Sequence, residues 1–256
     1  MAHDVLPRTV DVPAPPRIPL RVLRQPVAAL LKAWYDVRVH GAEHVPRSGP
    51  VLLTCNHIGL LDGPLLTAIA PRLVHALVKR EMFDGMGGPL LRGVGQISVE
   101  RTIVDPFAVK QSVWVLRDGG VVAIYPESSR GRGDVMHARL GMAYLALLTG
   151  AVVVPVAHLG TRLDGESVHA VPARGSRLDV VFGAPLRPAS APVPWPRRQS
   201  DVKALAETLR VGLAEHVQDA VRMTGRRLPG EAPDVRDDQA GRRGHEVGPQ
   251  AEEQAS

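Results

Sequence analysis

Seven times between residues 35 and 182 the chain returns to a short run of aliphatic and β-branched residues, with helical patterns or turns between the runs. The runs cover 35–40, 51–54, 73–78, 96–99, 121–124, 152–156 and 178–182, and their length and composition predict strands. Helical spacing predicts helices over 64–70, 106–117 with Asp105 as N-cap, 136–148, and 201–223 behind Ser200. Alternation of this kind leaves few architectures. The expected fold class is α/β, a single domain with a mixed, mostly parallel sheet flanked by helices.

With 256 residues, 45% of them hydrophobic, the chain can bury one sizeable core. Residues 1–16 read as a disordered polar lead without a signal-peptide core, 17–35 as an amphipathic basic helix, 36–225 as the working domain and 226–256 as a disordered polar tail. Leu20, Leu23, Val27, Leu30, Leu31 and Trp34 recur at helical spacing, with Arg21, Arg24 and Lys32 elsewhere on the wheel and Pro26 as a point of interruption. Such a helix suits a membrane interface and equally suits packing on its own domain. The uncharged stretch 140–161 reaches the ~20 residues of a membrane span. Gly150 nevertheless ends its helical pattern and Val152-Val153-Val154-Pro155 begins a strand-like one, so helix, turn and buried strand are expected and no transmembrane segment.

The single cysteine, Cys55, excludes an internal disulfide and fits a reducing, cytoplasmic setting. A formal charge of +5 and a pI near 9.9 point to an anionic partner. With aromatics at 4% and no zinc, helix-turn-helix or RNP signature, nucleic acid is not expected; phosphate on a small molecule or an anionic bilayer fits better. Arginine greatly outnumbers lysine, which genome composition explains as well as function does.

Four blocks carry the chemistry. The first, Asn56-His57-Ile58-Gly59-Leu60-Leu61-Asp62-Gly63-Pro64, follows an apolar strand and sets a histidine and an aspartate five positions apart. Neutral imidazole takes a proton near pH 7, and a carboxylate beside it fixes the tautomer and stabilises the imidazolium. No protein nucleophile accompanies the pair, so the simplest chemistry deprotonates a hydroxyl or amine of the substrate. The second block, from Gly95 to Thr102, puts Arg101 directly after a strand, as a phosphate fork or as a surface partner of Glu100. In the third, Tyr125-Pro126-Glu127-Ser128-Ser129-Arg130, Glu127 and Arg130 suit an acceptor hydroxyl and an acidic headgroup, or a hydrogen-bonded turn closed by a salt bridge. The fourth, Val152-Val153-Val154-Pro155-Val156, is wall and core.

In order and spacing these four blocks resemble those of the glycerolipid acyltransferases typified by 1-acyl-sn-glycerol-3-phosphate acyltransferase, over roughly residues 36–222. The resemblance implies transfer from acyl-CoA or acyl-carrier protein to a lysophospholipid acceptor, without an acyl-enzyme and without a cofactor or metal. It implies His57 as base, Asp62 as its partner, and Gly95, Arg101, Glu127 and Arg130 as acceptor-binding residues, on an enzyme peripheral to the inner face of the cell membrane. Two departures stand out. Ser128 occupies a position where the family commonly has glycine, and Glu100 stands where aspartate is commoner; a positive φ at position 128 would make the first matter.

Other readings rest on other residues. Cys55 and His57 fall on one side of an extended strand, which suits a cysteine-dependent thioesterase, while a small buried strand cysteine fits the same sequence. A metal site on His57 and Asp62 lacks further ligands at suitable spacing. A membrane-surface protein using the fold only as a scaffold would need the basic helix but not the His57/Asp62 pair.

Overall fold

The computed structural model describes residues 9–101, 103, 105–187 and 198–233. Its strands are β1 (Asp36–His40), β2 (Val51–Cys55), β3 (Val74–Lys79), β4 (Ile97–Val99), β5 (Val121–Ile124), β6 (Val152–Leu159) and β7 (Arg177–Phe182). Its helices are α1 (Ile18–Trp34), α2 (Asp62–Ile69), α3 (Glu81–Asp84), α4 (Gly88–Gly93), α5 (Pro106–Arg117), α6 (Gly141–Thr149) and α7 (Gln199–Thr224). The strands form one sheet in the order β1-β7-β6-β2-β5-β3-β4, in which every pairing is parallel except β6 with β7.

The period of two along each strand divides the core into two layers. In β2, Leu52 packs among residues of α5 and α6, whereas Val51, Leu53 and Cys55 join Leu65 and Leu66 of α2. In β5, Val122 and Ile124 take the first side and Val121 and Ala123 the second. Strands without a polar face must be covered by helices on both sides, and β2, β5 and β6 accordingly fill the centre of the sheet. Asp105 caps α5 as expected, its carboxylate accepting from the Phe107 and Ala108 N–H groups at 3.0 Å. Gly150 ends α6 at φ +66, and β6 follows, so 140–161 is the helix, turn and strand that its sequence suggests. Among the described residues, no helix is long and apolar enough to cross a membrane.

Some local expectations need correcting. The helix expected from 136 starts only at Gly141, because Val135 lies at φ +55 and the Arg139 N–H returns to the Pro126 carbonyl at 3.0 Å. Helices α3 and α4 are too short to carry a periodic signal, and the sequence reading missed them. Residues 9–16, expected to be disordered, lie on the domain: Val12 is buried, Asp11 pairs with Lys110, and Gln111 donates to the Pro13 carbonyl at 3.1 Å. The start of the expected tail is also ordered, with Arg226 donating to the Arg177 carbonyl at 2.7 Å and Ala232 buried. The remaining lead, 1–8, and tail, 234–256, lie outside the described residues.

Candidate active site

Five parallel strands deliver their carboxyl ends to one edge of the sheet, where an α/β fold gathers reactive groups. His57 follows β2, Arg101 follows β4, Glu127 and Arg130 follow β5, and Thr161 and Arg162 follow β6. Asn56 fixes the exit of β2 by accepting from the His158 N–H at 2.7 Å and donating to the His158 carbonyl at 3.2 Å.

The chain then turns into α2, whose first residue is Asp62. The Asp62 Oδ2 accepts from His57 Nδ1 at 2.8 Å, from the Ile58 N–H at 2.8 Å and from the Gly59 N–H at 2.9 Å, while Oδ1 accepts from the Thr161 hydroxyl. Burial by itself would raise the Asp62 pKa. The His57 hydrogen bond, the nearby His158 and His57 charges and the Thr161 bond outweigh it and bring the pKa down to about 2. The carboxylate therefore stays ionised and holds the imidazole with Nδ1 inward. Its side chain is 0% exposed against 18% for His57, so the histidine alone of the pair can be reached. The Tyr125 ring packs against the imidazole at 4.4 Å between centroids.

Beside this pair lies a cavity of about 1670 Å³ with His57 on its wall. Leu20, Leu23 and Val27 of α1, Leu60, Leu61 and Pro64 at the start of α2, and Leu77, Leu90 and Leu91 make much of it apolar. Lys79, Arg101, Arg130 and Arg139 give it a cationic portion. Arg101 donates to the Ser128 carbonyl and, at 3.3 Å, to Glu81, while its Nε has no hydrogen-bond partner. Arg130 reaches the Val168 carbonyl at 3.3 Å, and its Nε is likewise without a partner. Each of these cavity-lining guanidinium groups thus carries one buried N–H without a partner.

Two residues expected at the acceptor lie elsewhere. Gly95 is not on the cavity wall. It sits at φ +69 with its carbonyl accepting from His75 Nδ1 at 2.6 Å, and a Cβ there would collide with the Pro16 carbonyl, so glycine is required by packing. Glu127 is not on the cavity wall either, its Oε1 accepting from the His57 backbone N–H at 2.9 Å. Burial first, then the charges of Asp134 and Asp62, push its carboxyl up to about 7 against the hydrogen bonds from the His57 and Val135 backbone. Ser128 does adopt the left-handed conformation, at φ +64, and it borders the cavity.

Thr161 and Arg162 were not among the expected site residues. Arg162 is buried and donates from Nε to the Ile58 carbonyl at 2.8 Å. Their only signal was position, directly after the apolar strand of the fourth block. Cys55 is fully buried, and burial followed by the Asp62 charge moves its thiol well above the usual range. Burial of this kind disfavours a thiolate nucleophile at that position. Among the described residues, no group of three or more His, Cys, Asp or Glu side chains is placed to hold a metal ion.

Comparison with known proteins gives the same outline. The acyltransferase family model matches residues 36–159. The chain is 27% identical over 155 residues to the 1-acyl-sn-glycerol-3-phosphate acyltransferase of Bacillus subtilis, spanning 60% of this chain and 75% of that protein. It is 29% identical over 137 residues to the protein of the same description in Borreliella burgdorferi, spanning 50% of this chain and 53% of that one. The crystal structure of the 1-acyl-sn-glycerophosphate acyltransferase PlsC from Thermotoga maritima shares the fold, with a TM-score of 0.54, 19% identity, and coverage of 77% of this chain and 80% of that one.

Proposed function

We propose, from the premise that the chain belongs to the glycerolipid acyltransferase family, that it transfers a fatty acyl group from acyl-CoA or acyl-carrier protein to a lysophospholipid hydroxyl. Acyltransfer itself follows from the family; donor and acceptor are our reading. The preferred acceptor is 1-acyl-sn-glycerol-3-phosphate, which would give phosphatidic acid. The observation that carries the reading is the 2.8 Å bond from His57 Nδ1 to a buried Asp62, beside a cavity that joins an apolar trough to arginines.

With Nδ1 committed to Asp62, Nε2 accepts the proton of the acceptor hydroxyl as its oxygen attacks the thioester carbonyl. Collapse of the tetrahedral intermediate breaks the C–S bond, and the imidazolium returns the proton to the departing thiolate. A base in this position contributes ~10²- to 10⁴-fold, so positioning must supply much of the remainder. The loop N–H groups that could steady an oxyanion are already engaged: His57 donates to Glu127, and Ile58 and Gly59 donate to Asp62. That task passes to donors on the cavity wall, among them Arg130 and the Ser129 hydroxyl. Arg101 and Arg130 would hold the acceptor phosphate, and the apolar trough an acyl chain. Ile18, Val22, Leu30 and Trp34 of α1 are exposed, which supports a peripheral place on a membrane surface.

The test is thiol release from a long-chain acyl-CoA with and without lysophosphatidic acid, with lipid products read by mass spectrometry. Acceptor-dependent release that adds one acyl chain and falls at least 10²-fold in His57→Ala is expected. Equal release without acceptor would replace transfer by thioester hydrolysis.

A further inference from the structure

Arg162 is not on the cavity wall, and nothing in the mechanism above uses it. It is 1% exposed, yet it carries one of the largest fully buried side chains of the described residues. Its Nε donates to the Ile58 carbonyl at 2.8 Å and its Nη1 to the Glu166 carbonyl at 3.0 Å. Its Nη2 donates to the Gly131 carbonyl at 2.7 Å and to the Gly230 carbonyl at 3.0 Å. Besides Glu166 in its own loop, the acceptors therefore belong to three separate stretches: the catalytic loop after β2, the loop after β5, and the segment after α7. A planar fork can donate in several fixed directions at once, whereas an ammonium offers three donors from a single point.

The surrounding bonds make this guanidinium part of a ring around the base. The Gly131 N–H donates to the His57 carbonyl at 2.9 Å, so Gly131 touches His57 through its N–H and Arg162 through its carbonyl. On the other side, Gly59 lies so close to the Thr161 carbonyl that no side chain fits between them. The Ile58–Gly59 peptide is thus held at its carbonyl by Arg162 and at its Gly59 N–H by Asp62, while the peptide before it is held at the His57 carbonyl by Gly131 and at its Ile58 N–H by Asp62. The Gly230 N–H donates in turn to Asp164 Oδ1 at 2.8 Å, which fastens the segment after α7 to the same loop as Arg162.

We infer that Arg162 is a positioning residue: it sets the catalytic loop against the loop after β5 and couples both to the segment after α7. Displacing the Ile58 carbonyl tilts the peptides that orient Asp62, and the imidazole moves with its carboxylate. A shift of about 1 Å of this kind can cost ~10²-fold in rate. The consequence for rate rests on the acyltransferase reading; the coupling of the three segments does not.

The 256-residue chain and its Arg162→Lys variant test the inference. In the wild type, the His57 Nδ1 proton shared with Asp62 should give a downfield proton resonance, assigned by its loss in His57→Gln. In Arg162→Lys that resonance should move upfield or broaden, and kcat should fall about 10²-fold with KM for thioester and acceptor within about twofold. A folded Arg162→Lys with an unchanged resonance and unchanged kcat overturns the inference. Should the variant not fold, hydrogen exchange on the wild type decides. Peptides covering 56–62, 129–135 and 228–232 should open as one unit, and independent, faster opening of 228–232 overturns the coupling. If no thioester and acceptor pair is turned over at all, the acyltransfer reading fails while the resonance and the exchange data still judge Arg162.

Discussion

At the scale of single residues, Ser128 is where this chain departs most clearly from the pattern it otherwise follows. Its φ of +64 is a conformation that costs an L-residue with a side chain about 1 kcal/mol and costs glycine nothing sterically. The turn is fixed from both sides, by the Ser128 N–H on the Tyr125 carbonyl at 3.0 Å and by Arg101 on the Ser128 carbonyl. Ser128→Gly should therefore keep the turn, relieve the strain and raise stability by up to about 0.5 kcal/mol, since the greater freedom of glycine in the unfolded chain offsets much of the gain. Denaturant midpoints at constant m would measure it. A loss of stability would mean that the hydroxyl makes a contact worth more than the strain. The sequence raised this question but could not answer it, because the sign of φ is set by the return of 126–139 onto the loop. Glu127 poses a similar question: a carboxylate at a strand end has the same sequence whether it faces a ligand or, as Glu127 Oε1 does, a neighbouring backbone N–H.

At the scale of elements, α1 shows how much a helical pattern can tell and where it stops. The periodicity gave the helix and its basic, amphipathic character, and left open whether the apolar face meets the domain or a membrane. Both kinds of surface are present. Leu20 and Ala28 are buried, and Arg24 donates to the Ala68 and Ala70 carbonyls at the end of α2, which ties the inner face down. Ile18, Val22, Leu30 and Trp34, four or eight residues apart, remain 51–78% exposed on the outer one. The seven strands were legible because buried central strands are short apolar runs, and the α5 cap because Asp105 precedes proline. Helices α3 and α4 were not, being too short for a periodic signal, nor was the docking of 9–16 and 226–233, which contacts of high sequence separation decide. For α1 the expected outcome is that Val22→Glu with Leu30→Glu leaves the far-UV circular dichroism unchanged and weakens sedimentation with anionic vesicles roughly tenfold or more. Unaltered vesicle binding would remove this face from the membrane reading.

At the scale of the whole molecule, buried ionisable groups pull the pH dependence of stability in opposite directions. Glu127 has a carboxyl raised from 4.5 to about 7, so between those values the native state binds more protons than the unfolded chain and stability falls as pH rises. His75, His158 and His216 are lowered from 6.5, chiefly by burial, and act the other way, since stability falls as pH drops below 6.5 and the unfolded histidines take up protons. Asp62, lowered from 3.8 to about 2, adds a further loss only below pH 3.8. A single stability curve therefore blends Glu127 with the histidines over much of the same window, and the wild type must be compared with Glu127→Gln, in which the histidine terms cancel. The amide oxygen can still accept from the His57 N–H, so the variant should fold. Its stability relative to wild type should rise from pH 4.5 to 7 and level off above, by an amount of order ~3 kcal/mol if the full shift is expressed. A difference independent of pH across that range would mean that the Glu127 carboxylate is better solvated than its burial against the His57 loop implies.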